Sequence, residues 1–215
     1  MQTLYWVYYL LLFINYLLYL AVRKLDRQLL PIGILLLFSL IVELFVEWHI
    51  NRSISYYFLY HVYGPIEYVM LCLYFKNFLP QRLKKVVSWS ILFVVPASLL
   101  ISYKLISFTG YQGLNTAIRG TLIILIGITC LFSLPVENFK TIFESPAFTI
   151  ITAYIIFFSG TLLSNGVYNG LLKQYPSEKP YYQKIHSFVN LSFNYLLYLL
   201  IATSLICLMA KKKYD

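Results

Sequence analysis

The stretches "LLLFINYLLYLAV" (residues 10–22) and "TLIILIGITCLF" (residues 121–132) decide the architecture. Neither alternates polar with apolar side chains, as a strand of a closed barrel must when one face meets lipid and the other the lumen. Inside a bilayer only helices and closed barrels satisfy every backbone N–H and C=O, so these runs predict helices. Similar runs recur along the whole chain. Seven spans are read, at about 4–22, 29–50, 54–79, 86–106, 113–134, 146–170 and 185–210, most near the ~20 residues that cross the hydrocarbon. The 215 residues are 60% hydrophobic and 12% charged, against about 25% charged in a soluble domain. The predicted fold is therefore all-α: one domain over 1–215, a seven-helix transmembrane bundle with short connections and no attached soluble module. The first span has no basic residue before it and "LYLAVRK" offers no small-x-small cleavage site, so it is expected to stay in the membrane.

Basic residues set the expected orientation. Arg23, Lys24, Arg27, Lys76, Arg82, Lys84, Lys85, Lys140 and Lys211 to Lys213 fall on one side. Arg52, Lys104, Lys173, Lys179 and Lys184 fall on the other, three of them in the connection "KQYPSEKPYYQK" (173–184). The rule predicts an outside N-terminus and a cytoplasmic C-terminus, in the cytoplasmic (inner) membrane. The net charge of +9 suits anionic lipid headgroups, and no water-facing basic helix is left for nucleic acid. Trp6, Trp48 and Trp89 fall near span ends, where indoles prefer the headgroup layer. Cys72, Cys130 and Cys207 have unrelated spacings and read as buried apolar side chains.

Polar groups inside spans are costly, about 2.5–3.5 kcal/mol for a charge at the helix centre, so each needs a reason. Glu43 and Glu47 share one helix face, as do Asn115 and Arg119. His186, Asn190, Asn194 and Tyr198 form a stripe at four-residue steps. The segment "YHVYGPIEY" (60–68) sets Gly64-Pro65 between His61 and Glu67. Pro65 lacks an N–H and crowds the carbonyl of His61, which predicts a kink there, eased by Gly64. Tyr56, Tyr60, Tyr63 and Glu67 share a face, whereas His61 and Glu67 lie about 120° apart on an ideal helix. Given the alternating span directions, these groups gather at one depth toward the outer side. That pattern predicts an outward-opening polar pocket with Glu43, Glu47, His61, Tyr63, Pro65, Glu67, Arg119, His186, Asn190 and Asn194 as candidate binding residues. Asn165 and Asn169 read as interfacial caps, and Ser159-Gly160 as a close helix contact.

The segments "YHVYGPIEY", "ESPAFTIITAYIIFFSGTLL" (144–163) and "KIHSFVNLSFNYLLYLLI" (184–201) resemble an uncharacterised family of short bacterial seven-span proteins. Its members resemble the membrane halves of sensory receptors and have no assigned ligand. The resemblance implies that His61, Pro65, Glu67, Ser159, Gly160, His186 and Asn190 are recurring polar positions. The topology is also similar to that of microbial rhodopsins, but no lysine lies between Lys184 and Lys211 to hold retinal. Membrane zinc hydrolases of the ceramidase and adiponectin-receptor type offer another reading, with His61, His186 and Glu47 as ligands. Those enzymes pair two histidines on the last span where this chain has His186 and Asn190, and asparagine is a poor zinc ligand. A small proton-coupled transporter using Glu43, Glu47 and His61 is a further alternative. The leading expectation is a sensory or accessory membrane protein rather than an enzyme, with no cofactor. It would bind a small outside ligand, lipid or proton, and a membrane or cytoplasmic partner would carry its signal.

Overall fold

The computed structural model describes residues 2–52, 54–108, 113–134 and 145–214. Lys140 of the orientation argument lies outside them. Seven long helices follow one another: α1 (Gln2–Val22), α2 (Leu30–Asn51), α3 (Tyr57–Lys76), α4 (Gln81–Ile101), α5 (Gly113–Ser133), α6 (Pro146–Gln174) and α7 (Lys179–Tyr214). No strand occurs among the described residues. Pro31 and Pro146 sit in the first turns of α2 and α6, where the absent N–H has no intrahelical partner to lose. Asp26 caps the short 3-10 turn before α2 by accepting from the Gln28 amide at 2.8 Å.

Among the described residues six helices are long and apolar enough to cross a membrane; of the seven, α3 is the exception. Its tyrosines, His61, Pro65 and Glu67 dilute the apolar content. Those side chains are nonetheless shielded, because α3 packs against α2, α4 and α5. The other large difference from the sequence reading is at the α6–α7 connection. There α6 runs on to Gln174 and α7 begins at Lys179, rather than near residue 185. With 36 residues, α7 is about 54 Å long at 1.5 Å per residue, well beyond the ~30 Å hydrocarbon layer.

Neighbour order follows from packing rather than from sequence. Helices α1, α2, α3, α5, α6 and α7 form a closed ring in that order, with α7 returning to α1. Helix α4 stands outside, against α3 and the edge of α5. Consistent with this place, it buries the smallest share of its span. The core runs through the ring as Leu12, Ile32, Leu36, Leu71, Phe75, Ile123, Ile150, Tyr154 and Ile201. Outward-facing positions are large and apolar, among them Phe93, Leu100, Leu125 and Phe132, as expected of surfaces solvated by lipid. Trp6, Trp48 and Trp89 are all exposed, as the headgroup reading requires. Cys72 and Cys130 are buried, but Cys207 is exposed, which corrects its reading as a buried side chain; it falls on the outer face of α7.

Polar contacts tie α1 to α7: the Tyr195 hydroxyl donates to the Leu4 carbonyl, and a buried asparagine makes a second link. Asn15, fully buried, donates from Nδ2 to the Leu11 carbonyl at 2.9 Å and to the Tyr198 carbonyl at 3.0 Å. Hydrogen bonds between membrane helices average about 0.6 kcal/mol and reach nearly 2. The Asn15→Leu variant is expected to lose about 1 kcal/mol, read as a lower unfolding midpoint in detergent. An unchanged midpoint would show the contact to be energetically idle.

Candidate functional site

The ring encloses a cavity of about 610 Å³. All six ring helices contribute to its wall and, among the described residues, α4 contributes none. It lies toward the end where α1, α3, α5 and α7 begin. The lining runs from exposed Lys179 and Gln183 at that end to buried Tyr154 and Tyr198 at depth.

Helical periodicity explains the α3 wall. Tyr56, Tyr60, Tyr63 and Glu67 all line the cavity, as their spacing predicts, and Tyr57 and Gly64 join them. Tyr63 donates to Glu67 Oε1 at 3.3 Å, and its oxygen lies 2.7 Å from Ser39 Oγ on α2. The α7 stripe does the same: His186, Asn190, Asn194 and Tyr198 all line the cavity. His186 Nε2 meets Asn165 Oδ1 at 2.7 Å, and the ring stacks on Tyr168 at a centroid distance of 4.3 Å. Asn165 is thus a buried wall residue tying α6 to α7, not an interfacial cap. The side chain of Asn169 lies outside what the structure describes. Within α7, Asn190 Nδ2 lies 3.4 Å from His186 Nδ1, the ring nitrogen left to accept once Nε2 donates to Asn165, and Asn194 Nδ2 donates to the Asn190 carbonyl at 3.0 Å.

Three candidate binding residues stand off this wall: Glu47, His61 and Pro65. Pro65 lies inside an α-helix unbroken from Tyr57 to Lys76. Beside the role expected of Gly64, easing a bend, stands a steric one. A Cβ at Gly64 would overlap the guanidinium of Arg119, so the glycine lets that group lie against the α3 backbone. Glu47 points to α1, where Tyr9 donates to its Oε2 at 3.1 Å. Glu43, one turn earlier, lines the cavity and accepts from Tyr8 at 3.4 Å.

His61 faces α4. Its Nδ1 lies 2.8 Å from Ser102 Oγ. Ser102 gives its own proton to the Ser98 carbonyl at 2.9 Å and accepts from Asn115 Nδ2 at 2.8 Å. Its oxygen can then only accept from His61, which assigns the proton to Nδ1. Arg119 joins this network through Nη1, which donates to Ser98 Oγ at 2.7 Å. Asn115 and Arg119, four residues apart, therefore share a face as predicted. Arg119 links two sites: the cavity wall, where it attracts Glu67, and a buried polar seam against α4.

The zinc reading is not supported by this geometry. His61 looks toward α4, His186 into the cavity and Glu47 toward α1, so the three do not converge. Among the described residues no group of three His, Cys, Asp or Glu is placed to hold one ion.

The sequence reading missed the serines of α4 and most of the aromatic wall. Nine tyrosines line the cavity: Tyr5, Tyr8, Tyr56, Tyr57, Tyr60, Tyr63, Tyr154, Tyr168 and Tyr198. With 21 tyrosines in the chain, abundance hides which of them matter. Their spacing against Glu43, Glu67 and the α7 stripe was the usable signal. Ser159 is exposed, whereas Gly160 receives the Phe193 ring where a Cβ would stand, the close helix contact expected of that pair.

No family model matches the chain, nor does any curated protein or solved structure.

Proposed function

We propose that this is a seven-span protein of the cytoplasmic membrane, N-terminus outside, that binds a small polar ligand in the cavity and reports its occupancy inward as a sensory or accessory subunit. The observation that carries the reading is the cavity itself. It collects Glu43, Glu67, Arg119, His186 and three asparagines at one end of a lipid-soluble bundle. Ionisable groups so placed are expensive in a membrane and mark ligand or ion pathways. A seventh crossing by α3 is consistent with its polar face turning to the cavity while Phe58, Val62 and Leu73 present apolar side chains at the outer surface. The distribution of Lys and Arg and the resemblance to short bacterial seven-span proteins support the topology. A membrane or cytoplasmic partner would carry the signal onward.

Thiol labelling tests the outward opening. Ser187 lines the cavity and Leu205 is fully buried in the core. In a Cys207→Ser background, Ser187→Cys is expected to react in spheroplasts with a membrane-impermeant thiol reagent. Leu205→Cys and the native Cys72 and Cys130 are expected to stay unlabelled. Labelling of position 187 only from the cytoplasmic side would reverse the orientation, and none from either side would remove the water-filled cavity.

A further inference from the structure

The cavity has two chemically different halves. In one, Glu67 has the attraction of Arg119. In the other, no cation of the described residues is among the groups that act on Glu43. The groups that act on it are its hydrogen-bond donor Tyr8 and a second acid, Glu47. What surrounds it instead is aromatic. Tyr5 and Tyr8 from α1, Tyr60 from α3 and Tyr198 from α7 all line the cavity and lie within range of its charge. Tyr8 and Tyr198 are in direct ring contact, at a centroid distance of 5.7 Å.

A carboxylate among phenol rings complements one ligand chemistry better than others. Tyrosine rings attract cations through their π faces, most strongly where water is displaced. A hard metal ion would need several oxygen ligands at short range, and the described residues offer no cluster of acids for it. An anion would meet Glu43 unfavourably. The volume, about 610 Å³, far exceeds that of a bare ion and lies within the ~300–1,000 Å³ of small-molecule pockets. We propose that this half of the cavity binds an organic ammonium group. Glu43 is its counter-ion, and Tyr8, Tyr60 and Tyr198 are its aromatic wall. The inference rests on the cavity being a ligand site and names the ligand's chemical class. The ammonium could belong to a free solute or to a lipid headgroup.

The probes are choline and tetramethylammonium chloride, added to protein in phosphatidylglycerol nanodiscs, which contain no ammonium. Both are expected to raise the unfolding temperature in a saturable way, while sodium chloride of equal ionic strength does not. Glu43→Gln is expected to weaken binding by about tenfold or more, and Tyr60→Leu by several-fold. Glu47→Gln, which lies off the cavity wall, should weaken binding far less than Glu43→Gln. Phosphatidylcholine nanodiscs separate the two sources. Loss of the choline response there identifies a headgroup already in the site, whereas an undiminished response identifies a site for free cations. No stabilisation by either probe in phosphatidylglycerol, or full binding by both Glu43→Gln and Tyr60→Leu, overturns the proposal. If Ser187→Cys still labels from outside in that case, the cavity stands and only the ligand class falls. If labelling is absent as well, both readings fall together.

Discussion

Arg119→Leu is expected to destabilise the protein more than any other single substitution of a polar residue, by about 3 kcal/mol in detergent. Arg119 is 4% exposed, bonded to Ser98 Oγ at 2.7 Å, and set where it offsets Glu67. Leucine fills similar space but takes away the positive charge. Glu67 is then left on the cavity wall without the offsetting guanidinium, with Tyr63 as its hydrogen-bond donor. Removing one member of a buried pair typically costs about 3–5 kcal/mol, because the remaining charge is uncompensated. The same reasoning predicts a rescue. Adding Glu67→Gln to Arg119→Leu should recover more than half of the loss, since the orphaned charge is gone. Denaturant unfolding of the two single variants and the double variant measures this coupling directly. A double variant no more stable than Arg119→Leu would mean that Glu67 and Arg119 are energetically independent.

Local periodicity made much of the bundle legible. The seven apolar runs became seven helices because a lipid-solvated backbone has almost no alternative. The wall formed by Tyr56, Tyr60, Tyr63 and Glu67, and the stripe from His186 to Tyr198, could be read because helical spacing fixes which residues share a face. What periodicity leaves open is what each face meets. His61 lay off the Glu67 face in the sequence, but nothing there said that it would turn to α4. Nor could the spacing of Glu43 and Glu47 show that one lines a cavity while the other rests on Tyr9. Both outcomes depend on neighbour order, and the exclusion of α4 from the ring leaves no mark on its own sequence. Asn15 illustrates the same limit. Its partner is the carbonyl of Tyr198, a group that every residue carries, so no side-chain pattern could announce it.

Helix α3 shows how the two levels join. Of the seven helices it is the one not apolar enough by composition to cross a membrane, because it carries polar groups that line the cavity. Its stability must therefore come from neighbours rather than from lipid. Three helices pack on it, its polar atoms are met by Ser39, Ser90 and Ser102, and Glu67 has the attraction of Arg119. Under the proposed function, a ligand in the cavity would touch this helix directly, and Arg119 and His61 would connect it to the seam with α4, which among the described residues stands outside the ring.

Gly64→Leu tests this junction, and its effect should depend on the residue at 119. Alone, it is expected to cost about 2–3 kcal/mol, the upper part of the range for overpacking a buried site. The new side chain would occupy the place of the guanidinium. The guanidinium is the end of a flexible chain and can move aside, but only by giving up Ser98 and its position near Glu67. Overlap and lost contacts therefore have one cause. If Arg119 is already leucine, that cause is absent. Gly64→Leu combined with Arg119→Leu should then lose clearly less than the two single effects added together, by at least about 1 kcal/mol. The expectation from sequence, in which Gly64 relieves the backbone around Pro65, predicts the opposite. A backbone role would make the cost at position 64 independent of residue 119, and the two losses would add. Unfolding midpoints of the four proteins separate the explanations: additivity would return Gly64 to the helix bend, and a shortfall would assign it to the seat of Arg119.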